Sequence, residues 1–176
     1  MYEIIIGIIV GISLLLLIAT IINNRFKLAI IKIEKAEEDI DIYLEKKRDL
    51  LERTRPIIMK ELKEEEFLPE MDQNFQDMNN VDENDVLKMC YNQLFNKIDE
   101  NDKLLKSDSL TNIVQNLNSN EENVIGAIRF YNDTVVEYNK LVVSFPSNII
   151  GFIKRYKKKN FYNNEKREIF EILNKE

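Results

Sequence analysis

Two acidic stretches of the sequence have the first spacing of a calcium-binding loop, Asp82-x-Asn84 and Asp99-x-Asn101. A loop of the EF-hand type also needs Gly at its sixth position and Glu at its twelfth. Neither stretch has these residues. We therefore interpret both as solvated turns or helix ends, and the sequence predicts no metal site.

The residues that carry most nucleophilic and acid–base chemistry are scarce. The chain has no His and a single Cys, Cys90, so catalytic triads, His-ligated zinc and internal disulfides are excluded. Cys90 lies in the helix-like stretch MCYNQLF, where a packing thiol is expected. The four glycines, at positions 7, 11, 126 and 151, do not form a phosphate-binding loop. We expect no enzymatic activity and no cofactor.

Charge is segregated along the chain, which has a net charge of −6. The acidic excess lies in the middle of the chain, so no broad basic face is available for nucleic acid, and we expect no nucleic-acid partner. One basic cluster follows, interleaved with aromatic residues. It suits anionic lipid headgroups, and a solvated tail is the alternative. We call it the basic patch: Lys154, Arg155, Lys157, Lys158 and Lys159.

Residues 4–22 contain no charged side chain. As a helix they would extend roughly 28 Å, close to the hydrocarbon thickness of a bilayer. Glu3 stands where a cleaved signal peptide has basic residues, which favours a retained transmembrane anchor. Basic residues follow this segment and none precedes it. The positive-inside rule therefore places residues 1–3 outside the cell membrane and the body in the cytoplasm.

Gly7 and Gly11 form a GxxxG pair on one face of the predicted anchor. Such pairs let two membrane helices approach closely. Small residues are common in membrane helices, however, so the sequence leaves homo-oligomer formation open.

Apolar residues recur at helical spacing through the rest of the chain. They predict a helix over residues 25–62 that continues the anchor, with a bend at 52–56 caused by Pro56. Residues 63–83 are expected to form a loop with a short helix. Residues 84–106 are expected to form another helix.

The strongest periodicity alternates steps of four and three from position 110 to position 145, with Glu121 as its one polar member. It predicts one long helix with a coiled-coil-like seam, which Pro146 ends. The expected fold class is all-α. An N-terminal single-pass transmembrane helix is followed by an antiparallel bundle of about four long helices over 25–145 and a partly helical tail over 146–176.

Two segments carry a resemblance to a known family. Residues 122–152, ENVIGAIRFYNDTVVEYNKLVVSFPSNIIGF, resemble the signature half of the LemA family, in which AR-x-x-YN, V, YN and FPxN precede a basic, aromatic tail. Residues 40–51, IDIYLEKKRDLL, are similar to the family's IDVQLKRRxDLIP, although Glu52 stands where the family has proline. The residues that carry the match include Asp41, Asp49, Arg129, Tyr131, Asn132, Tyr138, Asn139, Phe145, Pro146 and Asn148.

The resemblance implies a membrane-anchored, antiparallel bundle of about four helices, mostly cytoplasmic, in a bacterial cell. It implies no activity and no catalytic residues. The family is associated with membrane peptidases and other envelope proteins, which makes such proteins candidate partners.

Tyr131 and Tyr138 lie seven residues apart on the predicted seam, and each is followed by an asparagine, Asn132 or Asn139. Paired amides at the rim of a seam can fix the register of packed helices. The alternative is a polar groove that recognises a ligand. The residue types allow both interpretations.

The first and last long helices have similar lengths, which favours an antiparallel pair. Residues whose numbers add up to about 170 then meet, so Arg129 is expected to face Asp41. In a parallel pair, Arg129 would lie nearer Asp49. The antiparallel arrangement also returns Pro146 to the neighbourhood of Arg25 and brings the basic patch to the membrane surface.

These features favour a non-enzymatic, membrane-tethered helical scaffold or interaction protein. The alternative is a peripheral sensor of anionic lipid that acts through the basic patch. An enzyme built on carboxylates is disfavoured, since di-iron bundles use Glu-x-x-His and the chain has no His.

Overall fold

The computed structural model describes residues 1–162, and within that range all regular structure is helical. This confirms the expected all-α fold class. The helices are α1 (Tyr2–Leu62), α2 (Asn80–Asp99), α3 (Asp102–Leu105), α4 (Asp108–Val143) and α5 (Ser147–Lys154), with short 3-10 turns at Pro69–Asp72 and Phe75–Asp77.

The chain divides into two compact units. The first combines Met1–Ala36 with the chain from Phe130 onward, and the second is Glu37–Arg129. Each unit has its own buried apolar side chains. Those of the first unit include Ile22, Phe26, Ile33, Val135 and Tyr138, and those of the second include Ile40, Leu44, Leu51, Leu87, Leu94 and Leu117.

Helix α1 runs without interruption from the apolar segment into the body. By length and composition its N-terminal part can cross a membrane, and no side chain of that stretch is buried. Pro56 lies inside α1, and the helix continues to Leu62. Ile58 in the following turn is fully buried, so its packing offsets the backbone hydrogen bond that proline removes.

Helix α2 begins earlier than predicted, at Asn80. The Asn79 side chain accepts hydrogen bonds from the backbone N–H groups of Val81 and Asp82, which makes Asn79 the N-cap. The residues before it form two 3-10 turns instead of the expected short helix.

Helix α2 also ends earlier than predicted, at Asp99. Asn101 has an extended backbone and donates its side-chain amide to the carbonyl of Lys97 at 2.9 Å. This local hydrogen bond competes with continued helix and separates α3 from α2. The acidic stretches that begin at Asp82 and Asp99 thus lie at the two ends of α2.

Arg55 fastens the connection between α1 and α2. Its Nε donates to the carbonyl of Phe67 at 2.9 Å, and its two terminal nitrogens donate to the two carboxylate oxygens of Asp72 at 2.8 and 3.0 Å. These hydrogen bonds hold the pKa of Asp72 below its usual range.

Ion pairs show that α1 and α4 run antiparallel, as predicted. In the first unit Lys32 Nζ lies 3.8 Å from Glu137 Oε2, and in the second unit Lys47 Nζ lies 2.6 Å from Glu121 Oε2. The residue numbers in these pairs add up to 169 and 168, close to the expected 170. Helix α4 is one continuous helix, also as predicted.

The charged residues that were expected to face each other across α1 and α4 form no salt bridge in the described part of the chain. Arg129 and Asp41 are both exposed, and no salt bridge connects them within residues 1–162. Asp49 instead pairs with Arg53 on the same helix, at 2.8 Å. Exposed partners gain little from pairing, which explains why the helix register does not depend on them.

Candidate functional site

The asparagines of the two Tyr-Asn pairs on α4 bind the backbone of the segment that follows α5. Asn139 donates to the carbonyl of Lys159 and accepts from its N–H, both at 2.9 Å. Asn132 accepts from the N–H of Tyr162 at 2.8 Å. Both amides are buried, so these hydrogen bonds replace water that the groups have lost.

The tyrosines of the same pairs extend this contact. Tyr131 donates its hydroxyl to the carbonyl of Asn160 at 3.1 Å and packs edge-on against Tyr162. Tyr138 packs edge-on against Phe26, whose other neighbour is Tyr156 at a ring-centroid distance of 4.7 Å. Burial raises the pKa of Tyr138 above its usual value.

These contacts bear on the two interpretations of the paired asparagines. Asn132 and Asn139 line a groove along α4, and residues 156–162 of the same chain occupy it. In the described part of the chain, the side-chain amides of Asn132 and Asn139 hydrogen-bond the backbone of this extended segment. Both amides hydrogen-bond backbone atoms, so their contacts do not depend on side-chain identity in the segment.

The turn between α4 and α5 presents the remaining signature residues. Phe145 is 80% exposed and Pro146 is exposed, whereas Asn148 is half-buried. The Asn148 side-chain oxygen is buried without a hydrogen-bond partner in the described chain. Gly151 of α5 is buried and faces the Phe26 ring, where a Cβ would lie at an ordinary packing distance of 3.4 Å.

A cavity of about 420 Å³ lies in the first unit beside the end of the apolar segment. We call it the Arg25 cavity. Pro146 and Arg25 both line it, so the chain returns to Arg25 as the antiparallel prediction required. Its lining is Ile18, Ile21, Ile22, Arg25, Lys140, Leu141, Ser144, Phe145, Pro146 and Ser147.

The basic patch begins at the end of α5. Lys154, Arg155, Lys157 and Lys158 are exposed, and Arg155 adopts a left-handed conformation that ends the helix. Lys159 is half-buried, and Asn139 holds its backbone. The tail expected over 146–176 is thus helical in α5, and its part beyond residue 162 lies outside the described residues.

A buried ion pair occupies the second unit. Lys47 is fully buried, pairs with Glu121, and places its ammonium 5.6 Å from the centre of the Tyr91 ring. Tyr91 donates its hydroxyl to Asn118 at 2.7 Å. Burial lowers the pKa of Lys47, and the Glu121 carboxylate partly opposes that shift.

The sequence contained a signal for this pair that sequence analysis did not use. Lys47 interrupts the apolar stripe of α1, and Glu121 interrupts that of α4. The numbers of Lys47 and Glu121 add up to 168, close to the sum of about 170 that the antiparallel register predicts for contacting residues. Two opposite charges on two seams at matching depth predict an ion pair.

The described residues hold no group of three or more Cys, Asp or Glu side chains that could bind a metal ion. Glu121, Cys90 and Glu83 lie among packed helices, where burial raises the pKa of Cys90 to about 11 and raises that of Glu83.

A comparison with protein-family models decides the classification. The model of the LemA family matches residues 36–172, which is more than half of the chain. The chain belongs to the LemA family. Curated proteins and solved structures give no match.

The fold explains the pattern of the LemA signature in this chain. Its Tyr-Asn pairs place two amides on one buried face of α4, seven residues apart, and these amides bind the segment after α5. Its Phe-Pro dipeptide marks the turn that lets α5 and this segment fold back along α4.

Cys90 of this LemA family protein is expected to resist alkylation in the folded state. Its side chain is fully buried and its pKa is about 11, so the thiolate is scarce at neutral pH. Iodoacetamide at pH 7.5 should label the unfolded chain in urea within minutes and leave the folded chain unmodified for hours, as followed by intact mass. Fast labelling of the folded chain would contradict the assigned burial.

Proposed function

We propose that this LemA family protein is a membrane-tethered, non-enzymatic scaffold whose body lies in the cytoplasm and binds membrane or envelope proteins. The observation that carries the proposal is the apolar N-terminal part of α1. No side chain of that stretch is buried, although a core helix of equal hydropathy would be covered by protein. A bilayer is the environment that satisfies such a surface.

The continuity of α1 supports a scaffold. The same helix that carries the apolar segment forms the core of both units, with Phe26 and Ile33 buried in the first and Ile40 and Leu44 in the second. No flexible linker therefore separates the anchor from the body. Such a body is tethered close to the membrane, where its partners are membrane proteins.

The ionisable residues support a non-enzymatic role. Lys47 and Glu121 neutralise each other inside the second unit, and Arg55 and Asp72 fasten a connection. Their charges are thus used in packing. The absence of His from the sequence removes the most common general base.

A second candidate function is the sensing of anionic lipid. It is favoured by α5, whose Ile149, Phe152 and Ile153 are exposed next to Lys154 and Arg155. An exposed apolar face beside cations is typical of helices that lie in the membrane interface. The charge-removal experiment described below for the Arg25 cavity also tests this candidate.

The orientation is tested with the full chain carrying Tyr2→Cys or Lys158→Cys. Because Cys90 is buried, a membrane-impermeant maleimide reports on the introduced thiol alone. Tyr2→Cys should be labelled in intact cells, and Lys158→Cys should be labelled only after the membrane is opened. The reverse pattern would overturn the orientation, and labelling of both in intact cells would overturn the cytoplasmic body.

The scaffold itself is tested by proximity labelling in the native membrane. A biotin ligase fused to the full chain should label a recurring set of membrane proteins. The matched control is the ligase fused to residues 1–35 alone, which has the anchor and lacks the body. Identical sets from the two fusions would contradict a binding role for the body.

A further inference from the structure

The Arg25 cavity changes from apolar to cationic along α1. Ile18, Ile21 and Ile22 line one end of it and belong to the final turns of the uncharged segment. Arg25 is the first charged residue after that segment. Ile18 and Arg25 are seven positions apart in α1, which corresponds to about 10 Å along the helix axis. The cavity therefore has an apolar wall and a charged wall at different positions along the axis of α1.

Within the described residues, the cations of this cavity form no salt bridge. Arg25 and Lys140 are exposed, and neither takes part in a salt bridge among residues 1–162. None of the ten lining residues is acidic. Two cations without a salt bridge in the described part of the chain attract an anion, and no carboxylate among the lining residues competes for them.

The cavity has the volume of a small-molecule site. Its volume of about 420 Å³ falls within the range of small-molecule pockets, and apolar side chains and the turn between α4 and α5 complete its walls. Phosphate groups are bound by pairs of cationic side chains, and acyl chains pack against aliphatic side chains. A ligand that matches both walls therefore carries a phosphate group and an acyl chain.

We propose that the Arg25 cavity binds one anionic phospholipid, with its phosphate between Arg25 and Lys140 and an acyl chain along Ile18 and Ile21. The proposal rests on the proposed membrane anchoring, since the lipid enters from the bilayer. The lining favours an anionic over a zwitterionic lipid, because the ammonium of a zwitterionic headgroup finds no acidic side chain there. The body is thereby coupled to the lipid composition around its anchor.

The test uses the full chain purified in a neutral detergent, so that lipid binding is measured separately from membrane insertion. Native mass spectrometry counts dioleoyl phosphatidylglycerol and dioleoyl phosphatidylcholine retained per chain. The double variant Arg25→Gln/Lys140→Gln removes the two cations of the cavity. The double variant Lys157→Gln/Lys158→Gln removes the same charge from the basic patch and is the matched control.

We expect one phosphatidylglycerol per wild-type chain, bound roughly tenfold more tightly than phosphatidylcholine. The cavity variant should lose at least tenfold in phosphatidylglycerol affinity, since it lacks both cations that attract the phosphate. The control should lose less than threefold. An unchanged cavity variant, or a larger loss in the control, would overturn the proposal, and the latter result would favour the lipid-sensing basic patch.

Two further measurements separate the possible failures. Glycerol phosphate at millimolar concentration should not displace the lipid, and displacement would overturn the lipid in favour of a soluble phosphate ligand. Carbonate extraction of membranes tests the anchor directly. A chain that resists extraction and retains no phosphatidylglycerol would refute the cavity proposal and leave the anchoring proposal intact.

Discussion

The variant Glu121→Leu should destabilise the protein by about 3 kcal/mol, as measured by urea unfolding at pH 7. Its side chain is 21% exposed, whereas that of Lys47 is 0% exposed. Removing Glu121 therefore leaves a fully buried ammonium without its counter-charge, which is the costly way to break such a pair. Lys47→Met leaves a carboxylate that still reaches water, and it should cost only about 1 kcal/mol.

The double variant Lys47→Met/Glu121→Leu is the control for this comparison. It replaces both charges with apolar side chains at seam positions and should be about as stable as the wild type, because the cost of desolvating two charges disappears with their attraction. The three variants form a double-mutant cycle that isolates the pair. Equal losses in the two single variants would contradict the difference in burial.

The cost of Glu121→Leu should shrink as pH rises. Burial already lowers the pKa of Lys47, and losing Glu121 removes the interaction that opposes this shift. The unfolded chain then binds a proton that the folded variant has lost, so folded stability increases with pH below 10.5. A stability difference from the wild type that stays constant from pH 7 to 9.5 would contradict this assignment.

Replacing Asn139 with leucine should release residues 156–162 from α4 while the rest of the fold remains intact. The substitution removes the two hydrogen bonds that Asn139 makes with the backbone of Lys159. Each hydrogen bond contributes about 1 kcal/mol. Local opening should therefore increase about thirtyfold, as measured by hydrogen exchange of the amides of Lys159 and Tyr162.

Asn123→Leu is the matched control for this variant. Asn123 lies on the same helix, α4, and its side chain is exposed. Exchange at Lys159 should remain at the wild-type rate. If Asn139→Leu left this rate unchanged as well, the groove along α4 would not be what holds the segment.

Long patterned helices were predictable from sequence because their signals are local. An uncharged stretch over 4–22, the four-three alternation along α4 and the matching lengths of two helices are all readable along the chain. These signals correctly predicted the all-α class, the continuity of α1 and the antiparallel register of α1 and α4. Such signals are strong because each turn repeats the same preference.

Boundaries were less predictable because single side chains decide them. Asn79 starts α2 by capping it, and Asn101 ends it by turning back to Lys97. Pro56 is a helix breaker by sequence, yet the buried Ile58 beyond it keeps α1 intact. In each case the contacts of one side chain outweigh or redirect the local preference.

The sequence by itself thus determined the helical class, the apolar segment and the residues that belong to the family signature. Only the tertiary structure decided what those residues contact. Asn132 and Asn139 bind an extended segment 20 or more residues further along the chain, and Arg25 and Lys140 line one cavity from two different helices. The physical reason is that periodicity reports which face of a helix is buried, whereas hydrogen-bond partners and cavities depend on which distant backbone atoms fold back against that face.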